Sequence, residues 1–379
     1  EKQSRQRQKK VQQMFSHRAT SNTAAVAIVA ILLGASAQAV QACTGIRLIA
    51  EDGTVVHART LEFATDIHSE LIMIPRGYAR IGTTPDGKEG LKWTTKYASV
   101  GMNGVGLPIL FDGLNEKGLA AGMFYFPTSA GYMPYTSGDA SKTIAQWEVA
   151  SWILENFASV DEVKANIASV VVPAVVFAGW GFAPEAHYIV HDATGKSIVI
   201  EYVGGKLNVY DDPLGVVTNS PAFDWHMTNL RNFVNYSMTN APPVHLGAVT
   251  LLPTGQGSGM AGLPGDFTPP SRFVRAVAFS QSVFPSKTGR DAMLQAFHIL
   301  NQFDIPKGAA REQKDEHGNI PADYTLWTSA SDLKTRQYFF RTHENSQIRM
   351  VDLMKMDIDG KGIVKISITG DEVIKSLTP

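Results

Sequence analysis

The feature that most constrains this chain is its single cysteine, Cys43, among 379 residues. With one cysteine the chain can form no intramolecular disulfide, so its stability must come from a buried core. Residues 43–379 are long enough to bury a sizeable core. Cys43 also directly follows a segment with the pattern of an export signal, and that position makes it the starting point for any account of function.

The first 42 residues have the composition of a cleavable signal peptide. A basic, polar stretch over 1–18 precedes an apolar run from about Ala24 to Gly34, and small residues follow up to Ala42. This order is typical of a secretory signal. The apolar run is shorter than the roughly 18 residues that a membrane anchor needs. We therefore predict an exported protein, located in the periplasm of a bacterium.

The position of cleavage decides what Cys43 becomes. Cleavage after Ala42 leaves small residues at both specificity positions, Val40 and Ala42, and makes Cys43 the first residue of the mature chain. Cleavage after Ala39 is the alternative and would leave Cys43 in fourth place. Met14 is a candidate start, which would make residues 1–13 upstream or added sequence.

Composition and spacing argue against several other classes of protein. The formal net charge of −1 gives no electrostatic basis for binding nucleic acid. The chain has no cysteine pair for zinc, and His187 and His191 share a strand face without a third ligand. The Gly-x-Gly-x-x-Gly spacing over Gly257–Gly262 neither follows a clear strand nor opens a helix, so we predict a loop there. No metal or organic cofactor is predicted.

A β-hairpin is predicted at the start of the mature chain. Strand-like residues over 43–50 and 54–58 flank Glu51-Asp52-Gly53, and Asp-Gly between apolar runs is a hairpin signal. The returning strand would bring Arg59 and Glu62 back beside Cys43.

Strand-like and helix-like stretches alternate along the rest of the chain. Apolar spacing predicts helices over 141–158, near 227–236 and over 289–301, and Ser159 with Glu162 forms a capping box that starts another helix. Phe111–Gly118 is rich in turn residues. Further strands are predicted over 71–74, 97–100, 119–126, 187–190, 197–202, 207–210, 324–328, 338–342 and 348–353. Without a βαβ rhythm, this order predicts one α+β domain of antiparallel sheets over 43–379.

An N-terminal cysteine would be a nucleophile with its own base. The thiolate is the reactive form of cysteine, and the α-amine of the same residue has a reference pKa of about 7.7–8.0. Arg59 would lower the thiol pKa, and Glu62 would hold the α-ammonium or orient the amine. This arrangement is a nucleophile–base pair with a third group orienting the base.

Two alternatives for Cys43 stay open on the residues alone. A lone cysteine is often a buried, unreactive small hydrophobe. Val40-Gln41-Ala42-Cys43 also has the general form of a bacterial lipobox, in which the thiol would carry lipid and the protein would be a membrane-anchored binding protein. Val40 and Gln41 match that motif poorly.

The mature chain resembles the choloylglycine hydrolase family, the bile salt hydrolases and penicillin V acylases, almost from end to end between Cys43 and about residue 355. The stretches that carry the resemblance are Cys43-Thr-Gly, Asp112-Gly-Leu-Asn-Glu-Lys-Gly-Leu119, Ala193-Thr-Gly-Lys-Ser-Ile-Val-Ile-Glu201, Thr218-Asn-Ser-Pro-Ala-Phe-Asp-Trp225 and Gly262-Leu-Pro-Gly-Asp-Phe-Thr-Pro-Pro-Ser-Arg-Phe273. Several long matches in the same order are more specific than any single motif.

The resemblance implies an αββα sandwich, two antiparallel sheets between helical layers, which is the fold of N-terminal nucleophile hydrolases. It also implies hydrolysis of an amide that joins an acyl group to a small amine. The family's catalytic positions fall on the nucleophile Cys43, a first arginine Arg59, Glu62 where aspartate is usual, the oxyanion-hole residue Asn219, and a second arginine Arg272.

Tyr125 stands where bile salt hydrolases usually have asparagine, and penicillin V acylases are similar in having tyrosine there. The backbone N–H of Tyr125 would be the second oxyanion donor beside Asn219. We predict that Leu61, Phe63, Tyr125 and Phe126 line an apolar acyl pocket. Conjugated bile salts, penicillin V and N-acyl homoserine lactones remain as candidate substrates. Because members of the family are often homotetramers, the resemblance also implies a homotetramer.

Overall fold

The computed structural model describes residues 42–314 and 317–378, which all belong to one compact unit. The predicted signal peptide falls almost wholly on residues 1–41, outside the described residues. In the part of the chain that is described, no helix combines the length and the apolar character needed to cross a membrane.

Nineteen strands are found among the described residues. In chain order they are β1 Cys43–Ile49, β2 Val55–Phe63, β3 Leu71–Ile74, β4 Ala79–Thr83, β5 Glu89–Thr94, β6 Ser99–Met102, β7 Asp112–Asn115, β8 Leu119–Tyr125, β9 Ala186–Asp192, β10 Ser197–Val203, β11 Lys206–Asp211, β12 Val216–Val217, β13 Val244–Leu246, β14 Val249–Leu251, β15 Ala310–Arg311, β16 Ala322–Asp332, β17 Gln337–Thr342, β18 Asn345–Asp352 and β19 Val364–Ile366.

The helices in the described part of the chain are short, and the longest of them has 14 residues. The α-helices are α1 Val149–Asn156, α2 Val160–Asn166, α3 Phe223–Asn229, α4 Pro269–Ser282 and α5 Gly289–Leu300. The 3₁₀ turns are Ser137–Lys142, Gln146–Glu148, Ile167–Ser169, Leu230–Phe233, Ser258–Met260, Asn301–Phe303 and Leu353–Lys355.

Two large antiparallel sheets form the centre of the fold. The first has the order β12-β1-β2-β16-β17-β18, with β15 also pairing with β16, and the second has the order β11-β10-β9-β8-β7-β6-β3-β19. Helices α4 and α5 pack on the first sheet, whereas α1 and α2 pack on the second. The four layers confirm the predicted αββα sandwich.

Successive side chains along a strand point to opposite faces of the sheet, and in the second sheet both faces are apolar. Leu119, Ala121 and Tyr188 join the cluster that packs against α1 and α2, whereas Ala120 and Ile189 join the cluster shared with the first sheet. Strand residues are therefore buried on both sides, as a sheet covered by a helical layer and by another sheet requires.

The predicted hairpin and the predicted helix start at Ser159 are confirmed. Strands β1 and β2 pair antiparallel around a turn in which Gly53 has φ +78°, a conformation that favours glycine. The Ser159 side chain accepts a hydrogen bond from the Glu162 backbone N–H at 3.2 Å, and α2 begins at Val160. The predicted Gly257–Gly262 loop is likewise a loop with one 3₁₀ turn.

Three local predictions are corrected. The helix predicted over 141–158 is confined to α1, because the Glu148 carboxylate accepts hydrogen bonds from the Ala145 and Thr83 backbone N–H groups and holds the preceding segment in 3₁₀ turns. The turn-rich Asp112–Asn115 stretch is a buried strand between β6 and β8. Helix α4 was not predicted at all, although it carries Arg272.

Candidate active site

Cys43 is the first residue of β1 and lies in the interior of the first sheet. It pairs with Leu61 across the hairpin and is only 4% exposed. Its backbone N–H donates to Asn219 Oδ1 at 2.9 Å. The carbonyl of Ala42 accepts a hydrogen bond from the Glu62 backbone N–H at 3.0 Å. The peptide between Ala42 and Cys43 is therefore held from both sides.

Arg272 joins the first turn of α4 to the start of β1. Its Nη2 donates to Asn219 Oδ1 at 2.6 Å, and Nη1 donates to Thr44 Oγ1 at 2.9 Å and also to the carbonyl oxygen of Cys43. Burial lowers the pKa of Arg272 to about 10. The charges of Glu62 and Cys43 act in the opposite direction but are weaker than the effect of burial. Arg272 thus fixes the position of both Cys43 and Asn219.

Asn219 connects β1 to β8. While its Oδ1 accepts from Cys43 and Arg272, its Nδ2 donates to the carbonyl of Tyr125 at 2.7 Å. An amide nitrogen carries two hydrogens, so one donor of Asn219 remains beyond this bond. The structure therefore brings together Cys43, Tyr125, Asn219 and Arg272, which are far apart in sequence.

The strand geometry directs the Tyr125 backbone N–H away from β9. Met123 N–H donates to Phe111 on one side of β8, at 2.7 Å, and Phe126 N–H donates to Glu185 on the other side, at 2.9 Å. Because N–H groups of alternate residues in a strand point the same way, Tyr125 N–H points to the Met123 side. That direction agrees with a role as a second oxyanion donor, which stays a prediction.

Arg59 lies on β2 and lines the same cavity as Cys43. Its Nη1 donates to the carbonyl of Met123 at 2.6 Å, and its guanidinium carbon lies 3.9 Å from the centre of the Phe124 ring. Its Nη2 is buried and finds no hydrogen-bond partner among the described residues. A buried donor without a partner is costly, so Nη2 is available to an acceptor atom of a bound molecule.

Asp112 is a buried carboxylate behind Arg59 and joins the two sheets. It accepts hydrogen bonds from His57 Nε2 at 2.8 Å, Ser329 Oγ at 2.7 Å and Tyr338 Oη at 2.8 Å. Burial raises its pKa, but His57 and Arg59 more than offset this, so the pKa lies below its usual value. Asp112 is thus an ionised group that accepts three hydrogen bonds near the Arg59 guanidinium.

Gly122 lies against Phe124, Asp112 and Arg59 and leaves space for their side chains. A Cβ at residue 122 would lie 3.1 Å from Asp112 Oδ1 and 3.6 Å from Arg59 Nη1. A side chain at residue 122 would therefore crowd these groups.

Glu62 lies on β2 and is almost fully buried. Its Oε1 accepts a hydrogen bond from Thr325 Oγ1 at 2.8 Å, whereas Oε2 has no hydrogen-bond partner within residues 42–314 and 317–378. Burial raises the pKa of Glu62 to about 8, although the charge of Arg272 opposes this. With Ala42 still attached, Glu62 is therefore mostly protonated at neutral pH. Its predicted contact with the α-ammonium of Cys43 stays a prediction.

The thiol of Cys43 does not have a lowered pKa in this form of the chain. Burial raises the pKa, and the positive charge of Arg59, although near enough to lower it, does not compensate. Arg59 thus lowers the pKa of the thiol, as expected, but desolvation of the thiol raises the pKa by more. Removing Ala42 would add a charged or basic amine beside the thiol.

A small apolar cavity of about 50 Å³ opens beside Cys43. Leu61, Phe63 and Tyr125 line it as predicted. The prediction for Phe126 is wrong: its side chain is fully buried and stacks on His187, with ring centres 4.3 Å apart. Phe126 follows the end of β8, and its ring packs on His187 in the core, whereas Phe124 and Tyr125 both line the cavity.

Sequence reasoning missed several residues around Cys43. Trp180 and Phe124 line the cavity, Thr325 binds Glu62, and Asp112 lies behind Arg59. A signal existed for α4: Thr268 before Pro269-Pro270 is a typical helix start, since proline is favoured in the first turn. No local signal marks Thr325 or Trp180.

His187 and His191 lie on one face of β9, as predicted. His187 contacts Glu201 Oε1 and the carbonyl of Thr218, each at 3.0 Å. His191 Nδ1 lies 2.9 Å from His57 Nδ1, and burial holds the pKa of His191 well below its usual value. Both are core histidines that link neighbouring strands.

Comparison with known proteins gives the family. The model of the linear amide C–N hydrolases, choloylglycine hydrolase family, matches residues 43–366. The chain is 35% identical over 325 residues to a bile salt hydrolase/transferase of Clostridium perfringens, covering 85% of this chain and 95% of that protein. It is 29% identical over 371 residues to a penicillin V acylase of Pectobacterium atrosepticum, covering 91% and 89%.

The fold comparison agrees with this. The crystal structure of a variant of the conjugated bile acid hydrolase from Clostridium perfringens superimposes with a TM-score of 0.79 at 33% identity, covering 89% of this chain and all of that one. The family model begins at Cys43, the residue around which Arg59, Asn219 and Arg272 are gathered. This chain belongs to the choloylglycine hydrolase family of linear amide C–N hydrolases.

Proposed function

We propose that the chain, once residues 1–42 are removed, is a cysteine amidohydrolase that cleaves the amide of glycine- or taurine-conjugated bile salts. The observation that carries this proposal is the position of Cys43. It is the first residue of the family match, and its backbone is held by Asn219 and Arg272 next to an apolar cavity. The C. perfringens relative, named a bile salt hydrolase/transferase, supports the choice of substrate.

In the proposed reaction the Cys43 sulfur attacks the amide carbonyl carbon, and the thiol proton passes to the α-amine of the same residue. The Asn219 side chain and the Tyr125 N–H donate to the developing oxyanion, where preorganised donors are most effective. The C–N bond then breaks, and the leaving amine takes the proton from the α-ammonium. Water attacks the resulting thioester, which releases the acid and restores the thiol.

The direct test offers protein that begins at Cys43 glycocholate, taurocholate and penicillin V separately. Released glycine, taurine or 6-aminopenicillanic acid is quantified, with a Cys43→Ala variant as the control. Release of glycine or taurine by the native protein, but not by Cys43→Ala, supports the proposal. If penicillin V is the only one of the three that is cleaved, the substrate is a penicillin amide and not a conjugated bile salt. No turnover of any of the three contradicts the bile salt proposal.

Penicillin V acylase is the second candidate activity, and specific observations favour it. The P. atrosepticum relative carries that name, and Tyr125 stands in the position that the resemblance associates with these enzymes. The cavity of about 50 Å³ is also small for a steroid. N-acyl homoserine lactones are a third substrate class for the same chemistry, and an acyl chain of that kind is slim enough for a narrow cavity.

Export and cleavage between Ala42 and Cys43 are part of the proposal. The start of the family match at Cys43 supports cleavage there. The rival hypothesis is a lipid-anchored periplasmic binding protein with a modified Cys43. The intact mass of protein isolated from periplasm distinguishes them: an unmodified N-terminal cysteine supports the enzyme, and a diacylglyceryl addition supports the anchor.

A homotetramer is proposed as well. The hairpin of β13 and β14 carries four exposed aliphatic residues, Val244, Leu246, Val249 and Leu251, each at least 50% exposed. An exposed apolar patch is typical of a protein contact surface. Light scattering after size exclusion should give about four chain masses, and Leu246→Asp should reduce this value.

A further inference from the structure

The segment 176–183 forms a flap between two fixed ends beside the Cys43 cavity. At one end, two hydrogen bonds join buried Gln146 to Val175. Gln146 Nε2 donates to the Val175 carbonyl at 2.9 Å, and the Val175 N–H donates to Gln146 Oε1 at 3.1 Å. At the other end, Tyr132 Oη donates to the Pro184 carbonyl at 2.7 Å and accepts from the Ala186 N–H at 2.7 Å. The chain enters and leaves the flap at fixed points.

Within the flap, backbone hydrogen bonds join flap residues to one another. Phe177 N–H donates to the carbonyl of Phe182 at 3.0 Å, and the Trp180 and Gly181 N–H groups donate to the carbonyl of Phe177 at 3.0 and 2.9 Å. Gly181 has φ +74° with open space around its Cα, and Phe182 is exposed. The turn can therefore shift as a unit without breaking the hydrogen bonds that close it.

Trp180 is the central ring of an aromatic stack on this flap. Its ring lies 5.7 Å from Phe63 and 5.7 Å from Phe182, each at 24°, and it meets Phe177 edge-on at 5.3 Å. Phe63 belongs to β2, so this stack joins the flap to the strand that carries Arg59 and Glu62. Aromatic contacts are modest in energy and do not demand one exact geometry.

Trp180 also stands between two apolar cavities. The cavity of about 50 Å³ at Cys43 has a neighbour of about 20 Å³ that is lined by Leu107, Trp147 and Phe177. The two cavities share Phe111, Met123, Trp180 and Pro184 as lining residues. Of these four, only Trp180 is on the flap, so its movement is the way for the two spaces to become one.

We propose that Trp180 is a specificity-determining residue that divides one acyl site into two chambers. With the ring in place, the chamber at Cys43 takes an acyl group that is slim next to the amide, such as a linear alkanoyl or an aryloxyacetyl group. A wide acyl group such as a steroid requires the ring to leave the stack, because the chamber at Cys43 measures only about 50 Å³ with the ring in place. This inference rests on the proposed amidohydrolase function and refines its substrate class.

The test compares wild type with Trp180→Ala, Trp180→Phe and Val176→Ala, all beginning at Cys43. Val176 is the matched control, because it is exposed on the same flap and lines neither cavity. The measured quantity is the ratio of kcat/KM for glycocholate to kcat/KM for penicillin V. Losing the stack should raise this ratio by about tenfold or more in Trp180→Ala. Trp180→Phe should give an intermediate ratio, and Val176→Ala should match wild type.

A second measurement separates this inference from the proposed function. Alkylation of the Cys43 thiol by iodoacetamide and by N-(1-pyrenyl)maleimide reports access to the chamber without any turnover. Trp180→Ala should increase the rate with the bulky reagent about tenfold relative to the small one. If labelling changes this way while no amide is cleaved, the proposed function fails and the role of Trp180 stands. If amides are cleaved but neither the kcat/KM ratio nor the labelling ratio changes, the role of Trp180 is overturned.

Discussion

The floor and the roof of the candidate site are built in different ways. The floor, defined by Cys43, Asn219 and Arg272, is fixed by hydrogen bonds among strand, loop and helix, two of which go to one atom, Asn219 Oδ1. The roof, defined by the flap 176–183, rests on β2 through stacked rings. The floor holds the groups that need exact positions for chemistry, and the roof adapts to the acyl group.

The largest expected effect comes from removing the nucleophile in the floor. Cys43→Ala should lower kcat/KM for any cleaved amide by at least about 10⁴-fold, since no thioester can form. Initial-rate assays measure this, with circular dichroism to show that the fold is kept. Residual activity within tenfold of wild type would mean that Cys43 is not the nucleophile.

The next effect tests whether the floor is a single hydrogen-bonded unit. Asn219→Ala should lower kcat by about 10²–10³-fold, because it removes an oxyanion donor and also the acceptor shared by Cys43 and Arg272. Asn232→Ala, an exposed asparagine, is the matched control. An Asn219→Ala enzyme with unchanged kcat and a raised KM would assign Asn219 to ground-state binding.

A third prediction concerns the charge held in the floor. In the uncleaved chain the pKa of Glu62 is raised by burial to about 8, above the value of about 4.5 for an unfolded glutamate, and Cys43→Ala serves as the parent protein for the test. Its stabilising contribution is therefore full below pH 4.5 and is lost as the pH rises through about 8.

Glu62→Gln should remove this slope. The free energy of unfolding is measured in urea for the glutamine variant and for its parent. Between pH 5 and pH 9 the parent should lose a few kcal/mol relative to the variant, since each unit of pKa difference corresponds to about 1.4 kcal/mol. Parallel curves for the two proteins would show that Glu62 titrates normally in the folded chain.

The smallest expected effect lies in the roof. Phe182→Ala removes the outer ring of the stack but no lining residue, so it should raise the glycocholate to penicillin V ratio of kcat/KM only about two- to fivefold. The stability of the protein should change by less than about 1.5 kcal/mol. An effect as large as that of Trp180→Ala would mean that the whole stack, rather than one ring, divides the site.

The same contrast explains how much could be predicted from the sequence. The hairpin followed from Asp52-Gly53 and the α2 start from Ser159, since both are local signals with a mechanism. The resemblance supplied the site positions; in the structure Cys43, Tyr125, Asn219 and Arg272 are linked by hydrogen bonds, and their catalytic roles stay predictions. The turn residues of Asp112–Asn115 misled because pairing with β6 and β8 outweighs local preference there.

The roof could not be predicted in this way. Trp180 lies in a turn without periodicity, and its neighbours Phe63 and Trp147 come from distant strands and turns. Phe126 does not line the cavity because its ring packs on His187 of β9, a contact that no local pattern in the sequence marks. Stacking and cavity walls depend on tertiary contacts that leave no pattern along the chain.

The spread of the floor along the chain has a consequence for when reactivity arises. The hydrogen bond between Cys43 and Asn219 joins residues 176 positions apart, and the one between Arg272 and Cys43 joins residues 229 positions apart. Closing such long loops is slow and takes place late in folding. A chain still being synthesised, or one cut before α4, carries Cys43 only as an ordinary thiol. Any reactivity that depends on Asn219 and Arg272 therefore requires a chain that has been made and folded at least as far as α4.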